Sequence, residues 1–369
     1  MDCRMAFHSG IGTHIRGLVF GMDLLRQKGE ETPRFTFLGD PTKLHAVSGI
    51  NELGSVVRCT LPLYSWRERL CFPKSEADLT HFPHYNVLGF LRNTPYVITT
   101  HDLTHLLLPE VRLGSWTKLM HGTLLRRSFR CAKRVIVPSE CSKRDLIRMF
   151  GLRDDHIAVI PNAVAPGFGR LPEDEARQLC GDAGIRHDRP YFLSVGMGWT
   201  HKNFPFLLRE YLAWRKHSVG TVPNLVICGP KGSYLTQLQE YLSGLDADGS
   251  VVLAGEQPYA TLRALYQRAE ALIVPSLYEG FGIPLLEAQS VGVPVICARA
   301  GALPETAAES ALYFDPRSPQ EFADVLTTYM TGGAALRSAL VEQGYANERR
   351  FTWEKSASLL LQVYVQAMS

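Results

Sequence analysis

Several things are missing from this 369-residue chain, and each absence removes a class of protein. No apolar run approaches the roughly 18–20 residues that span a bilayer, and no signal-peptide pattern opens the sequence. The eight cysteines, Cys3, Cys59, Cys71, Cys131, Cys141, Cys180, Cys228 and Cys297, are scattered with no C-x-x-C pair. That spacing fits reduced thiols in a cytoplasmic protein, not a disulfide frame or a zinc cage. Neither G-x-x-x-x-G-K-[ST] nor G-x-S-x-G occurs, which argues against a P-loop NTPase and an α/β-hydrolase. Low-complexity sequence is absent, and net charge is only +3.

The charge is uneven. Residues 1–165 hold 22 Lys/Arg and 15 Asp/Glu, whereas the remainder holds 17 and 21. The excess centres on 111–139, "VRLGSWTKLMHGTLLRRSFRCAKRVIVPS", with seven basic residues and no acid. Trp116, Met120 and Leu124 recur there at helical spacing. The plainer reading is a surface helix with its apolar stripe turned inward. The sharper one is a basic face, 111–134, that meets anionic headgroups or a phosphate-bearing acceptor at the inner face of a membrane.

Length alone favours two domains. Short β-branched runs ("YVITT", "RVIVPS", "YFLSVG", "NLVICGP", "ALIVPS") alternate with longer amphipathic segments. This rhythm predicts βαβ units, an α/β fold and parallel sheets. "CAKRVIVPSE" (131–140) and "RAEALIVPSL" (268–277) echo each other: each ends a helix, forms a buried strand and stops at Pro-Ser. Two similar doubly wound domains in tandem explain the echo. The Pro/Gly-rich "VIPNAVAPGFG" (159–169) marks the seam, giving domains 1–163 and 164–350, with 351–369 as a terminal helix. Ligands of open parallel sheets bind at the carboxyl ends of the strands, so the informative residues should follow strands.

Four places qualify. In "IVPSLYEGFGIPLLEAQSVGVPVI" (273–296), Glu279 follows a strand and Glu287 sits in the first turn of the next helix. Gly280, Phe281 and Gly282 lie between them. The glycines leave bare backbone for a ligand, and Pro284 suits the first helical position. A helix start there offers a seat for phosphate, and the two carboxylates can accept from sugar-like hydroxyls on either side of it. In "YFLSVGMGWTHKNFPFLL" (191–208), Lys202 stands at the turn before a helix, where a point charge can meet a diphosphate. "FHSGIGTHIRGL" places Gly10 and Gly12 ahead of a helix. Gly17 does not complete G-x-G-x-x-G, so this is not the dinucleotide fingerprint. "PYVITTHDLTHLLLPE" sets His101 and Asp102 after a strand. "HDLTH" resembles a zinc motif, but its first histidine ends a β-run; "DAD" (246–248) lies in a polar turn. No metal site is expected from either.

With these residues assembled, the chain resembles the family 4 retaining glycosyltransferases of the GT-B fold over nearly its whole length. The most specific element is Glu279-Gly-Phe-Gly-x-Pro-x-x-Glu287 followed by "GVPVI". "SGIG", "HDL", "VPSECSK", "VIPNAV", "VG…KN" and "FTWEK" support it. The resemblance implies two Rossmann-like domains facing across a cleft. The N-terminal one takes the acceptor, the C-terminal one the nucleotide sugar, and the last helix crosses back to the first domain. It assigns the donor sugar to Glu279, the ribose to Glu287 and the diphosphate to Lys202. It places Gly10 and Gly12 over the phosphates and His101 beside the sugar at the acceptor side, and it gives Glu279, His101 and Lys202 the catalytic roles. Where many relatives carry arginines, this chain has Met197 and His201, the latter a pH-dependent cation.

Among these relatives, "DCRM…SGIG", "HDL…PE" and "KN" most resemble bacterial GDP-mannose-dependent mannosyltransferases that build surface polysaccharide such as lipopolysaccharide. That implies a glycan or lipid-linked acceptor, no nucleic-acid partner, no cofactor beyond the nucleotide-sugar substrate, and no metal. Three alternatives stay open: another nucleotide sugar, a sugar-nucleotide epimerase on the same architecture, and a non-catalytic partner subunit.

Overall fold

The computed structural model describes residues 1–63, 65, 77–85, 94–108, 115–185, 189–197 and 200–369, with the backbone alone at residues 9 and 115–121. The chain forms two compact units. The first is Met1–Pro166 together with Phe351–Ser369; the second is Gly167–Arg350. The terminal helix Trp353–Met368 therefore belongs to the first unit.

The first unit is built on parallel strands. β1 (Phe35–Gly39) pairs with β2 (Gly54–Arg58). β3 (Thr80–Phe82), β4 (Tyr96–Thr99), β5 (Arg134–Val137) and β6 (Ile157–Val159) form a second sheet in that order. Met1–Cys3 bridge the two: the Cys3 amide donates to the Leu38 carbonyl and the Asp2 amide to that of His81. Strand β4 is buried at every position and β5 at all but its first, as expected of parallel strands covered on both faces.

The helix Ser9–Gln27 packs along the terminal helix. Their contact is shaped by Gly17 and Gly21. A Cβ at Gly17 would lie 2.0 Å from the Trp353 indole, and one at Gly21 would lie 2.1 Å from the Trp353 carbonyl oxygen. Only glycine leaves room there. Trp353 completes the fit by donating its indole N–H to the Val164 carbonyl at 2.7 Å.

The second unit carries six parallel strands: β7 (Tyr191–Val195), β8 (Asn224–Cys228), β9 (Val251–Gly255), β10 (Ala271–Val274), β11 (Val295–Ala298) and β12 (Ala311–Phe314). Their order is β12-β11-β10-β7-β8-β9. The chain starts in the middle at β7, runs outward to β9, returns beside β7 as β10 and runs outward the other way. The reversal lies between β7 and β10, and this is where a doubly wound sheet opens a crevice at its carboxyl edge.

Candidate functional site

Each strand at that reversal is followed by a loop that carries a residue singled out by the sequence, Lys202 after β7 and Glu279 after β10. After β7 the chain turns through a short 3-10 segment, Thr200–Lys202, and Asn203 in the left-handed region (φ 59°) starts the helix Phe204–His217. Asn203 ties this turn down by donating to the carbonyls of Pro275 and Pro316 at 3.2 and 3.0 Å. The Leu277 amide donates to the His201 carbonyl. The loops after β7 and β10 are thus stitched together, and Lys202 is carried onto Glu279.

The result is a close ion pair. Lys202 Nζ donates to Glu279 Oε1 at 2.6 Å, and the side chains are 14% and 12% exposed. Ser276, itself buried, donates its hydroxyl to the same oxygen at 2.6 Å. Burial pushes the Glu279 pKa upward; the charges of Lys202 and His201 and the two hydrogen bonds outweigh it, so the group lies below the ordinary carboxylate range. Glu279 is therefore an anion at neutral pH. Its own carbonyl accepts from the Ala302 amide, which holds the loop against the segment after β11.

The helix Ile283–Ser290 follows. Gly282 precedes it at φ 104°, a conformation that glycine adopts without strain. The turn places the helix N-terminus at the carboxyl edge of β10, with no side chain capping it. Two sequence expectations need correction. Pro284 is the second helical residue, because the helix opens at Ile283, and Glu287 lies beyond the first turn, which contains no acid. Glu287 is partly buried, and its Oε2 accepts from the Tyr266 hydroxyl at 2.8 Å. Burial drives its pKa up to about 7, with the tyrosine bond pulling the other way. The two glutamates thus differ in acidity: Glu279 is ionised at neutral pH, whereas Glu287 titrates close to it. Met197 stands after β7, partly buried.

In the first unit, His101 follows β4 and its Nε2 meets the Pro83 carbonyl at 2.9 Å. The His14 ring packs edge-on against it, with centroids 4.7 Å apart. His14 is buried, and its Nδ1 lies 2.7 Å from Asn162 Oδ1. Burial pushes both histidines below the ordinary imidazole range, His14 to about 3, so both are neutral at pH 7. Gly10 and Gly12 do not precede their helix, as the sequence suggested; it opens at Ser9, and both lie within it, Gly10 exposed and Gly12 buried.

Sequence reasoning missed Ser276, Tyr266 and His14. Ser276 carried a signal, because Pro-Ser closes both echoed strands. Tyr266 carried none beyond the apolar spacing of its helix.

The remaining motifs are accounted for locally. Asp246 pairs with Lys216 and Asp248 with Arg215. His105 of "HDLTH" lies in a four-residue helix, Thr104–Leu107, after His101 has left the strand. Among the described residues no cluster of His, Cys, Asp and Glu is arranged to hold a metal, and no helix is long and apolar enough to cross a membrane. The basic segment 111–134 lies partly outside the described residues, including Arg112 and the side chains of Trp116, Lys118 and Met120. Arg126, Arg127 and Arg130 are exposed on the helix Ser115–Cys131.

Comparison with known proteins follows the same division. Residues 178–347 match the family model "Glycosyl transferases group 1", and residues 26–168 match "Glycosyltransferase Family 4". The chain is 27% identical over 315 residues to O-antigen chain mannosyltransferase B of Escherichia coli, covering 82% of this chain and 80% of that protein. It is 31% identical over 247 residues to the D-inositol 3-phosphate glycosyltransferase of Acidothermus cellulolyticus, covering 64% of this chain and only about half (54%) of that protein. In fold it matches Anabaena HepE, solved in complex with UDP and glucose, with a TM-score of 0.71 at 18% identity and 95% coverage of each chain.

Proposed function

Because this chain belongs to the family 4 glycosyltransferases of the GT-B fold, we propose that it is a retaining α-mannosyltransferase. In this reading it moves mannose from GDP-mannose to a glycan or lipid-linked acceptor in surface-polysaccharide synthesis. The observation that carries the reading is the meeting of Lys202 and Glu279 at the reversal of the second sheet, 2.6 Å apart, beside the start of the helix that bears Glu287. A cation, a helix N-terminus and two carboxyl groups of different acidity suit a diphosphate flanked by two polyhydroxylated groups.

Lys202 and the helix start take the diphosphate, Glu279 the mannose hydroxyls, and Glu287 the ribose. As the glycosidic bond loosens, negative charge grows on the leaving phosphate, and Lys202 stabilises it there. No carboxylate is assigned as a nucleophile, so transfer is from the front face. The acceptor hydroxyl attacks the anomeric carbon on the side the phosphate leaves, and its proton passes to a phosphate oxygen. The new glycosidic bond keeps the configuration of the old one, and GDP departs. His101, neutral and held by Pro83, is assigned to the acceptor side, and the exposed arginines of Ser115–Cys131 to anionic headgroups around a lipid-linked acceptor. With Lys202 and the helix start neutralising the diphosphate, transfer proceeds without a divalent metal.

The mannose assignment rests on the likeness to the O-antigen enzyme. The UDP-bound fold relative favours a second reading, a UDP-sugar donor. A thermal-shift comparison of GDP, UDP, ADP and dTDP separates them, since a ligand that binds the native state raises its apparent stability. GDP should give the largest shift, and GDP-mannose should be turned over in EDTA. A larger shift with UDP replaces the donor; activity that EDTA abolishes and magnesium restores removes the metal-free mechanism.

A further inference from the structure

Glu287 is not held by its own helix. Its carboxylate is fixed by Tyr266 on the neighbouring helix Tyr259–Gln267, which precedes β10 in the chain. Tyr266 is fully buried, and the Phe168 ring stands edge-on to it at 5.7 Å. Phe168 also meets the Tyr259 ring edge-on at 5.8 Å, so the phenol sits in an aromatic frame that resists its swinging away. The phenol donates to Oε2, the only direction open once Glu287 is ionised, because a carboxylate only accepts. One lone pair of Oε2 is then occupied, and Oε1 keeps both of its own.

We propose that Tyr266 is a positioning residue: by holding Oε2 it turns the Glu287 carboxylate so that Oε1 accepts from the ribose hydroxyls of the donor nucleotide. The proposal rests on the assignment of Glu287 to the ribose. A phenol that only filled space would serve equally well as phenylalanine. A phenol that aims a carboxylate would be felt only by ligands carrying the hydroxyls that the carboxylate receives.

The test is calorimetric titration with GDP and with 2′,3′-dideoxy-GDP, on the wild type, Tyr266→Phe, Glu287→Gln and the double variant. Wild type should prefer GDP by about tenfold or more. Tyr266→Phe should weaken GDP by about five- to tenfold, the worth of one ordinary hydrogen bond, and change the dideoxy nucleotide by less than about twofold. In the Glu287→Gln background the tyrosine change should add little, as residues acting through one another are not additive. Glu287→Asp keeps the charge but withdraws it from the phenol, and should show the same ribose-dependent loss with the tyrosine intact. Equal weakening of both nucleotides by Tyr266→Phe, or no weakening of either, overturns the positioning role. If wild type binds both nucleotides alike, the ribose assignment of Glu287 falls first, and the proposal with it.

Discussion

Replacing Glu279 with alanine separates two jobs that the ion pair performs. In the free protein the change leaves the Lys202 ammonium, 14% exposed, and the buried Ser276 hydroxyl without the oxygen to which both donate. Losing a charge-assisted hydrogen bond in a nearly buried place costs about 2 kcal/mol. For a unit of this size that is a fall of roughly 4–8 °C in melting temperature. The nucleotide should respond in the opposite sense. In the wild type a diphosphate must share Lys202 with a carboxylate of its own sign; in Glu279→Ala the ammonium is unpaired. Relief of about 1 kcal/mol makes GDP bind roughly fivefold tighter. Turnover of the sugar nucleotide should nonetheless fall by about 100-fold, because the sugar loses its acceptor as charge develops. Calorimetric titration with GDP, scanning calorimetry and steady-state kinetics on one preparation report all three. Tenfold weaker GDP binding would refute the reasoning: the carboxylate would then be aiming Lys202 at the phosphates and not competing with them.

Two further outcomes follow from the same structure. Glu287 has its pKa raised from 4.5 to about 7, so between those values the native protein keeps a proton that the unfolded chain has lost. Its contribution to stability is therefore complete below pH 4.5 and lost as pH rises through 7. The ionised carboxylate is the better acceptor for hydroxyls, so nucleotide affinity should rise between pH 6 and 8 and the rise should flatten in Glu287→Gln; identical pH profiles for the two proteins would contradict it. In the first unit, Gly17→Ala drives a methyl into the Trp353 indole. Overpacking of this kind costs about 1–3 kcal/mol, readable as a lower denaturation midpoint, and an unchanged midpoint would show that the notch has slack.

The fold class is legible because parallel strands are buried on both faces and must be short and apolar. "RVIV" and "ALIV" become β5 and β10, each stopped by the Pro-Ser that made the echo visible. Strand order is not legible: nothing in "YFLSV" says that β7 will lie beside β10. Lys202 and Glu279 stand 77 residues apart and meet only through that adjacency. Each could be picked out by its place after a strand, but their pairing could not. Tyr266 reads as one more apolar residue on an amphipathic helix, since only the folded neighbourhood turns its hydroxyl toward a carboxylate. The Gly17-x-x-x-Gly21 spacing is in the sequence. Its partner, Trp353, lies at the far end of the chain, and no local pattern links them.

The glycine notch that receives Trp353 has a consequence for how the chain is made. The second unit is continuous in sequence, and every strand of its sheet has been synthesised once residue 350 is in place. The first unit begins the chain and must wait for Phe351–Ser369 to supply the helix that fills Gly17 and Gly21. Until then the core cluster that holds the buried Leu18 and Met22 lacks Trp353, Ala357, Leu360, Val363, Tyr364 and Ala367, which complete it in the native state. The half synthesised first is thus the half completed last. During synthesis the part of its helix that Trp353–Met368 later covers is the surface on which a chaperone would act, and a stop codon near residue 350 would spare the second unit while leaving the first without its closing helix.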